Sequence, residues 1–349
     1  MKINKTDLIN AFDIVKAAVG KNEIGGSRTD YLIKDGYLIA TNGEVVAKTK
    51  INAEDNLVLP GKVVALVKAL TGEDITISGN NENVKISSGK ARNIYKTTSV
   101  ESYVLPKVTN NNTQIVEIEA KSLIEAINLV AYAIPKSSTR PILTGMNVKC
   151  DEGYLNFAGM DGYRVAWFKA KTESNEYWDI TIPKNCIEIV KSAEFKSNVK
   201  IAFNSSWITF ADDNTSISSR LLDGEYVNYQ RFFEINNFDN FTVNTQDLID
   251  CINRIKTVSD DREKPKIIID LSNNLNITLS EETVNYAEEI TTDKNIDLKI
   301  AFNANYINDA VKNIDGNVIT VYTNGNKSPF LFVNDNDTHK ALVLPVSLR

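Results

Sequence analysis

The residue types that carry most protein chemistry are few in this chain and are not spaced to cooperate. The one histidine, His339, closes the acidic stretch Asn334-Asp-Asn-Asp-Thr-His. A lone histidine in so polar a segment is expected to be solvated at the surface. With no second histidine there is no His-based zinc site and no anchor for a Ser-His-Asp set. Asp335 and Asp337 could offer oxygens to calcium, but the central glycine and closing glutamate of an EF-hand loop are absent. Asn324-Gly-Asn-Lys327-Ser328 pairs a lysine with a hydroxyl as a phosphate loop does. It lacks the leading glycine and reads as a hairpin turn. Ile24-Gly25-Gly26-Ser27 is followed by strand-like rather than helical sequence, which argues against a dinucleotide site. Cys150, Cys186 and Cys251 lie far apart with no CxxC, so they read as buried thiols in a reducing compartment. No catalytic residue, metal site or cofactor is expected, which suits a scaffold better than an enzyme.

The elements that would position a site form a repeat. Six times, at intervals near sixty residues, a one-sided helical stretch precedes β-rich sequence. The helices start at Thr6-Asp7-Leu8, Pro60-Gly61-Lys62, Ala120-Lys121-Ser122, Pro183-Lys184-Asn185, Thr245-Gln246-Asp247 and Asn303-Ala304-Asn305. In the first, Leu8, Phe12, Val15 and Val19 share a face; in the third, Leu123, Ile127, Val130 and Ile134 do. One apolar stripe per helix means packing against a sheet on one side and water on the other. Between helices the period falls to two, as in Asp74-Ile-Thr-Ile-Ser and Asn83-Val-Lys-Ile-Ser, with turn residues between the runs. These predict antiparallel hairpins. Pairing the units gives an α+β chain of three similar domains, 1–113, 114–238 and 239–349, with breaks at Thr109–Thr113 and Asn236–Asn240.

With 42% hydrophobic and 24% charged residues the composition is that of a soluble globular protein, and the −6 net charge argues against gripping nucleic acid by bulk charge. No apolar h-region follows Met1 and no run is long enough to span a bilayer, so a cytoplasmic protein without membrane contact is expected. The wet helix faces carry Lys16, Lys68, Lys191, Arg254, Lys256 and Lys312 toward their C-terminal ends. This pattern fits complementation of the helix dipoles and equally a diffuse positive field aimed at a polyanion.

Three segments carry a family resemblance. Arg140-Pro-Ile-Leu-Thr-Gly145, followed by Phe157-Ala-Gly-Met160-Asp161-Gly162-Tyr163-Arg164-Val165-Ala166, resembles the middle domain of bacterial sliding clamps, the β subunit of DNA polymerase III. Ser219-Arg220-Leu-Leu-Asp223-Gly224-Glu-Tyr-Val-Asn-Tyr229 is similar to that family's motif before its second linker. Leu342-Val-Leu-Pro-Val-Ser-Leu348-Arg349 resembles its closing strand. The resemblance implies a DNA-clamp fold, in which two chains close head to tail into a ring around duplex DNA, helices inside. Helices packed about 10 Å apart with a radius of roughly 5 Å would, six to a ring, leave a hole about 10 Å wide. A duplex about 20 Å across needs twelve, hence a homodimer. Holding DNA by enclosure also removes the conflict with the acidic net charge, since sequence-blind phosphate contacts suffice.

The resemblance further implies a processivity factor that tethers a replicative polymerase and is placed by a clamp loader, both through short linear motifs. The DNA-facing candidates are Lys136 and Arg140, then Lys21 and Arg28, with Lys68 and Lys191 from the helix faces. The peptide cleft carries over to Leu143, Gly162, Tyr163, Arg164 and Val165, to Val227, Arg231 and Phe232, and to Leu342, Leu344, Pro345 and Val346. Thr257 and Val258 are carried over to the subunit contact. Four departures from the family pattern bear on which motif the cleft accepts: Met160 for threonine, Tyr163 for histidine, Val227 for proline, and an added Arg349. The competing reading is a repeat-built interaction scaffold with no DNA role.

Overall fold

The computed structural model describes residues 1–20, 29–108, 113–174, 176–234, 238–261, 264–314 and 316–348. The chain divides into two compact units, Met1–Ile124 with Ile182–Asp223, and Glu125–Thr181 with Gly224–Arg349.

Six α-helices occur among the described residues: α1 Lys5–Val15, α2 Val63–Ala69, α3 Ala120–Ala131, α4 Lys184–Lys191, α5 Thr245–Val258 and α6 Ala304–Lys312. Each arises where the apolar spacing is helical. Leu8, Phe12 and Val15 of α1 and Leu248, Cys251, Ile252 and Ile255 of α5 are buried. An asparagine repeats at three of the helix starts. The side chains of Asn4, Asn244 and Asn303 accept first-turn amides from Thr6, Asp247 and Asn305 at 2.8, 3.0 and 2.8 Å. These caps satisfy donors that an α-helix leaves unpaired.

In the first unit an eight-stranded antiparallel sheet runs in the order Leu57–Leu59, Tyr31–Lys34, Tyr37–Thr41, Val45–Lys50, Thr215–Arg220, Trp207–Ala211, Asn198–Phe203, Gln114–Glu119. A four-stranded sheet, Lys2–Asn4, Asp74–Gly79, Asn83–Ser88, Ala91–Lys96, completes that unit. The second unit repeats the plan. Its eight strands run Trp178–Pro183, Gly145–Asp151, Tyr154–Met160, Arg164–Lys171, His339–Val343, Phe330–Val333, Val318–Thr323, Asp239–Asn244. Its four-stranded sheet is Asn285–Ile290, Leu275–Ser280, Lys266–Asp270, Lys299–Asn303. Hairpins close where the sequence provides left-handed residues. Asp35-Gly36 takes φ of 51° and 79°, and Glu152-Gly153 takes 49° and 76°. Two consecutive positive φ values make a turn whose twist matches that of the flanking strands.

The helices cover one face of each sheet. At Gly159 the packing is so close that a Cβ would stand 2.9 Å from Ile134 Cγ1 and 3.0 Å from the Val130 carbonyl oxygen. Gly159→Val should therefore cost about 1–3 kcal/mol through overpacking. A urea midpoint unchanged from that of the parent protein would count against this account.

One expectation is corrected here. His339 is not a solvated loop residue; it is fully buried. The turn Asn334–Asp337 closes tightly, with Asp337 N–H donating to the Asn334 carbonyl at 3.1 Å, so the strand begins at His339 itself. Strand alternation then sends His339, Ala341 and Val343 to the helix-covered face, where His339 meets Phe168 edge-on at 6.2 Å. Burial pushes its imidazole down to about 4, although the neighbouring backbones of Leu129 and Asn313 favour the cation. Neither ring nitrogen reaches hydrogen-bond geometry, so desolvation prevails. A folded-state value below the unfolded 6.5 means that stability is complete above pH 6.5 and is lost as pH falls toward 4. About 2 kcal/mol should disappear between pH 6.5 and 5. A pH series of urea melts in which His339→Phe keeps the same slope as the parent would refute this.

Candidate functional site

The strands Arg164–Lys171 and His339–Val343 are neighbours in the second unit, pairing Arg164 with Val343 and Val165 with Leu342. Two sequence motifs nearly 180 residues apart thereby lie side by side. Val165 and Leu342 point away from the helices and join one apolar cluster with Leu143, Met160, Trp167, Tyr226, Tyr229 and Phe233, against which Val227 packs.

The turn before the first strand is built by Asp161. Its Oδ1 accepts the amides of Tyr163 at 2.9 Å and Arg164 at 3.1 Å. Gly162 sits at φ 89°, a left-handed conformation that glycine adopts without penalty. Asp161 Oδ2 accepts Arg164 Nε at 2.9 Å. Arg164 then donates Nη1 to Asp309 Oδ2 at 2.7 Å and Nη2 to the Tyr132 carbonyl at 2.9 Å. Its guanidinium lies 4.5 Å from the Tyr306 ring centroid and 5.5 Å from that of Tyr132. Burial disfavours the charges of both Arg164 and Asp309. For Asp309 the hydrogen bonds from Lys312 and Arg164 outweigh it and hold the carboxyl below its ordinary range; for Arg164 the two carboxylates push the guanidinium up.

Arg164 is consequently a strut rather than an open anion receptor, since all three nitrogens are engaged. What it supports is an exposed apolar surface. Tyr163 is 60% exposed and stacks on Tyr306 at 6.1 Å. Its carbonyl accepts the Leu344 amide at 2.8 Å, fixing the chain after the last strand. Val346 is tied in turn to the Ala301 carbonyl at 2.8 Å, with Pro345 half-buried between. Leu344, Val346, Phe232 and Arg231 remain exposed, whereas Leu143, Val165 and Leu342 are buried. The structure thus brings Leu143, Val165, Val227 and Leu342 together as a floor, and places Tyr163, Leu344 and Val346 at the surface above the turn. Phe232 and Arg231 lie on the 3-10 turn Tyr229–Phe233, which packs Tyr229 and Phe233 into that floor. Such an arrangement can bury apolar anchors of an extended ligand but holds no free acid–base pair.

Tyr306, Asp309 and Tyr132 were absent from the sequence-derived site. Tyr306 and Asp309 both lie on α6. Their three-residue spacing does put them on neighbouring positions of one helix face, the only signal available.

The cation candidates are dispersed. Lys136 and Arg140 are exposed on the segment after α3, the Arg140 amide donating to Ser138 Oγ at 3.1 Å. Lys191 is exposed in the last turn of α4. Lys68 pairs with Asp13 at 3.1 Å, a carboxylate that Lys16 also reaches at 3.0 Å. Likewise Lys312 pairs with Asp309, and Arg254 with Glu288. Lys21 and Arg28 lie outside the described residues, as does Arg349. Thr257 and Val258 end α5, with Val258 exposed.

Known proteins resemble this chain along most of its length. Residues 117–228 match the family model described as the DNA polymerase III beta subunit, central domain, and residues 231–347 match that of its C-terminal domain. The chain is 27% identical over 347 residues to a beta sliding clamp of Staphylococcus epidermidis, covering 95% of this chain and 90% of that one. It is 28% identical over 334 residues to the beta sliding clamp of Staphylococcus aureus strain Mu50, covering 92% and 87%. Among solved structures, the DNA polymerase sliding clamp of Bacillus subtilis aligns with a TM-score of 0.88 at 24% identity over 100% of this chain and 99% of that one. The beta subunit of Thermotoga maritima gives 0.88 at 20% identity, over 100% and 99%.

Proposed function

The chain belongs to the DNA polymerase III beta subunit family, and we propose from that premise that two copies close head to tail around duplex DNA. It is a sliding clamp, a processivity factor that keeps DNA-processing proteins on their template. In this reading it catalyses no reaction itself and works in the cytoplasm.

One observation supports the ring above the others. Each eight-stranded sheet is two four-stranded halves joined at their third hairpin strands, Val45–Lys50 to Thr215–Arg220 in one unit and Arg164–Lys171 to His339–Val343 in the other. The two four-stranded sheets are halves of the same kind. Among the described residues, Ala91–Lys96 and Asn285–Ile290 are each paired on one side only. An open strand edge is a template for another strand. Arg92, Ile94 and Lys96 share the outer face of one edge, and Asn285, Ala287 and Glu289 that of the other, so opposite charges would meet across a third junction. Two such junctions, formed reciprocally between two chains, close a ring. Thr257 and Val258 at the end of α5 are proposed to flank that junction, and the threefold domain repeat 1–113, 114–238 and 239–349 is part of the same proposal.

Inside the ring, Lys136, Arg140 and Lys191 are the proposed phosphate contacts, with Lys68 secondary because Asp13 already engages it; Lys21 and Arg28 are retained as candidates on sequence grounds. Outside, the surface around Tyr163, Leu344 and Val346 is proposed to take short apolar motifs of the replicative polymerase and the clamp loader. A solution mass of twice 38.9 kDa is expected. Ile94 is 65% exposed on its edge, and Ile94→Asp should weaken self-association by about a hundredfold, roughly 3 kcal/mol, by desolvating a charge in the junction. Light scattering that finds the parent protein monomeric at micromolar concentration, or unable to stay on closed circular DNA after loading, would exclude the ring.

A further inference from the structure

The two eight-stranded sheets share one plan, but their outer faces are finished differently. In the second unit the connecting segment lays Tyr226, Tyr229 and Phe233 over Val165, Trp167 and Leu342, and Phe233 stacks on Trp167 at 5.6 Å. In the first unit the corresponding segment delivers Tyr103, whose hydroxyl donates to the Asp30 carbonyl at 3.0 Å, over Leu32, Ile39 and Val58. Among the described residues, that covers one half of the sheet only. Across the junction the outward positions are Ser216, Ser218 and Thr209, small and polar where the second unit is aromatic and aliphatic.

The consequence is a groove of about 800 Å³. Hydroxyl residues form its floor, and Val46 and Leu105 face Ile115 and Ala202 across it. Ile115 is 66% exposed, a large aliphatic side chain that the described residues leave in water. Lys34 and Lys48 line the same groove against a single carboxylate, Asp35. The Lys48 ammonium lies over the Tyr37 ring at 5.1 Å, held beside the opening.

We infer that this groove is a second docking surface, taking an extended segment of a protein partner that carries an apolar anchor next to an acidic side chain. The apolar walls would bury the anchor, as Ile115 is otherwise unshielded. The lysines outnumber the carboxylate and favour an acidic flank. The hydroxyl floor leaves room for backbone and can hydrogen-bond it. The inference leans on the peptide reading of the second unit for the analogy alone, because the groove's own lining specifies the ligand.

The test is selection of short random peptides displayed on phage against the full-length Leu344→Asp protein, in which the cleft of the second unit is disabled. Selected sequences combining an aliphatic or aromatic residue with Asp or Glu are expected. Their affinity should fall at least about tenfold with Lys48→Glu and more with Ser216→Trp, which fills the groove. Lys48→Glu alters a surface charge and folds independently of any packing defect from the tryptophan. Recovery of no binder, of neutral or basic binders, or of binders indifferent to both substitutions would overturn the inference. Polymerase-derived peptides that still bind Leu344→Asp would instead break the cleft assignment, while the two groove substitutions would continue to report on the groove.

Discussion

Arg164→Ala should lower the unfolding free energy by about 3–5 kcal/mol, the range for removing one partner of a buried ion pair. The side chains of Arg164, Asp161 and Asp309 are only 13%, 12% and 25% exposed. Alanine would leave Asp161 Oδ2 without its guanidinium, Asp309 with Lys312 alone, and the Tyr132 carbonyl without its donor. It would also remove the cation between two aromatic rings. Arg164→Lys is expected to recover less than half of the loss, because one ammonium cannot reach a carboxylate on each side and a carbonyl behind. The depressed Asp309 carboxyl adds a pH signature. Its stabilising contribution is present above the unfolded carboxylate value near 4 and declines as pH falls through the lower folded value, so the mutant's deficit should shrink in acid. Urea melts showing a loss below about 1 kcal/mol would mean that the network is not what holds the turn.

This network also marks where sequence reasoning stopped. The repeat was legible because helix and strand periods depend only on local side-chain spacing. Leu8, Phe12 and Val15 lie where a one-sided helix must bury them, and Asp35-Gly36 turns where a hairpin needs two left-handed residues. The apolar residues that the resemblance carries over to a cleft come from distant segments, and strand pairing explains why they converge: Val165 lies opposite Leu342. Partners fixed by tertiary packing were not legible. Nothing near Lys68 predicts that Asp13, 55 residues earlier, will take its charge. Nothing near Arg164 points to Asp309, 145 residues later. His339 was misassigned because five polar neighbours outweighed one fact of geometry, that a tight turn ends before it and strand alternation begins. The charges on the helices show the same limit: of those singled out, Lys16, Lys68, Arg254 and Lys312 are committed to carboxylates, so a count of basic residues overstates the field available to DNA.

Leu344→Asp should reduce binding of a polymerase-derived apolar peptide by more than about a hundredfold, at least ~3 kcal/mol, without altering self-association. The backbone of Leu344 is anchored on Tyr163 at 2.8 Å, so the side chain is presented from a fixed point. It is 38% exposed, enough to contact a ligand. An anchor docking there would force an aspartate to surrender its hydration, and Arg164 cannot compensate it because its guanidinium is already engaged by Asp161, Asp309 and the Tyr132 carbonyl. Leu344→Met, which keeps volume and polarity, should stay within about threefold of the parent. The strand edges proposed to join the subunits belong to the four-stranded sheets, separate from the strand that Leu344 follows, which is why the mass in solution should not change. Binding within a few fold of the parent by fluorescence anisotropy would remove Leu344 from the cleft, and with it the claim that the closing strand forms one of its walls.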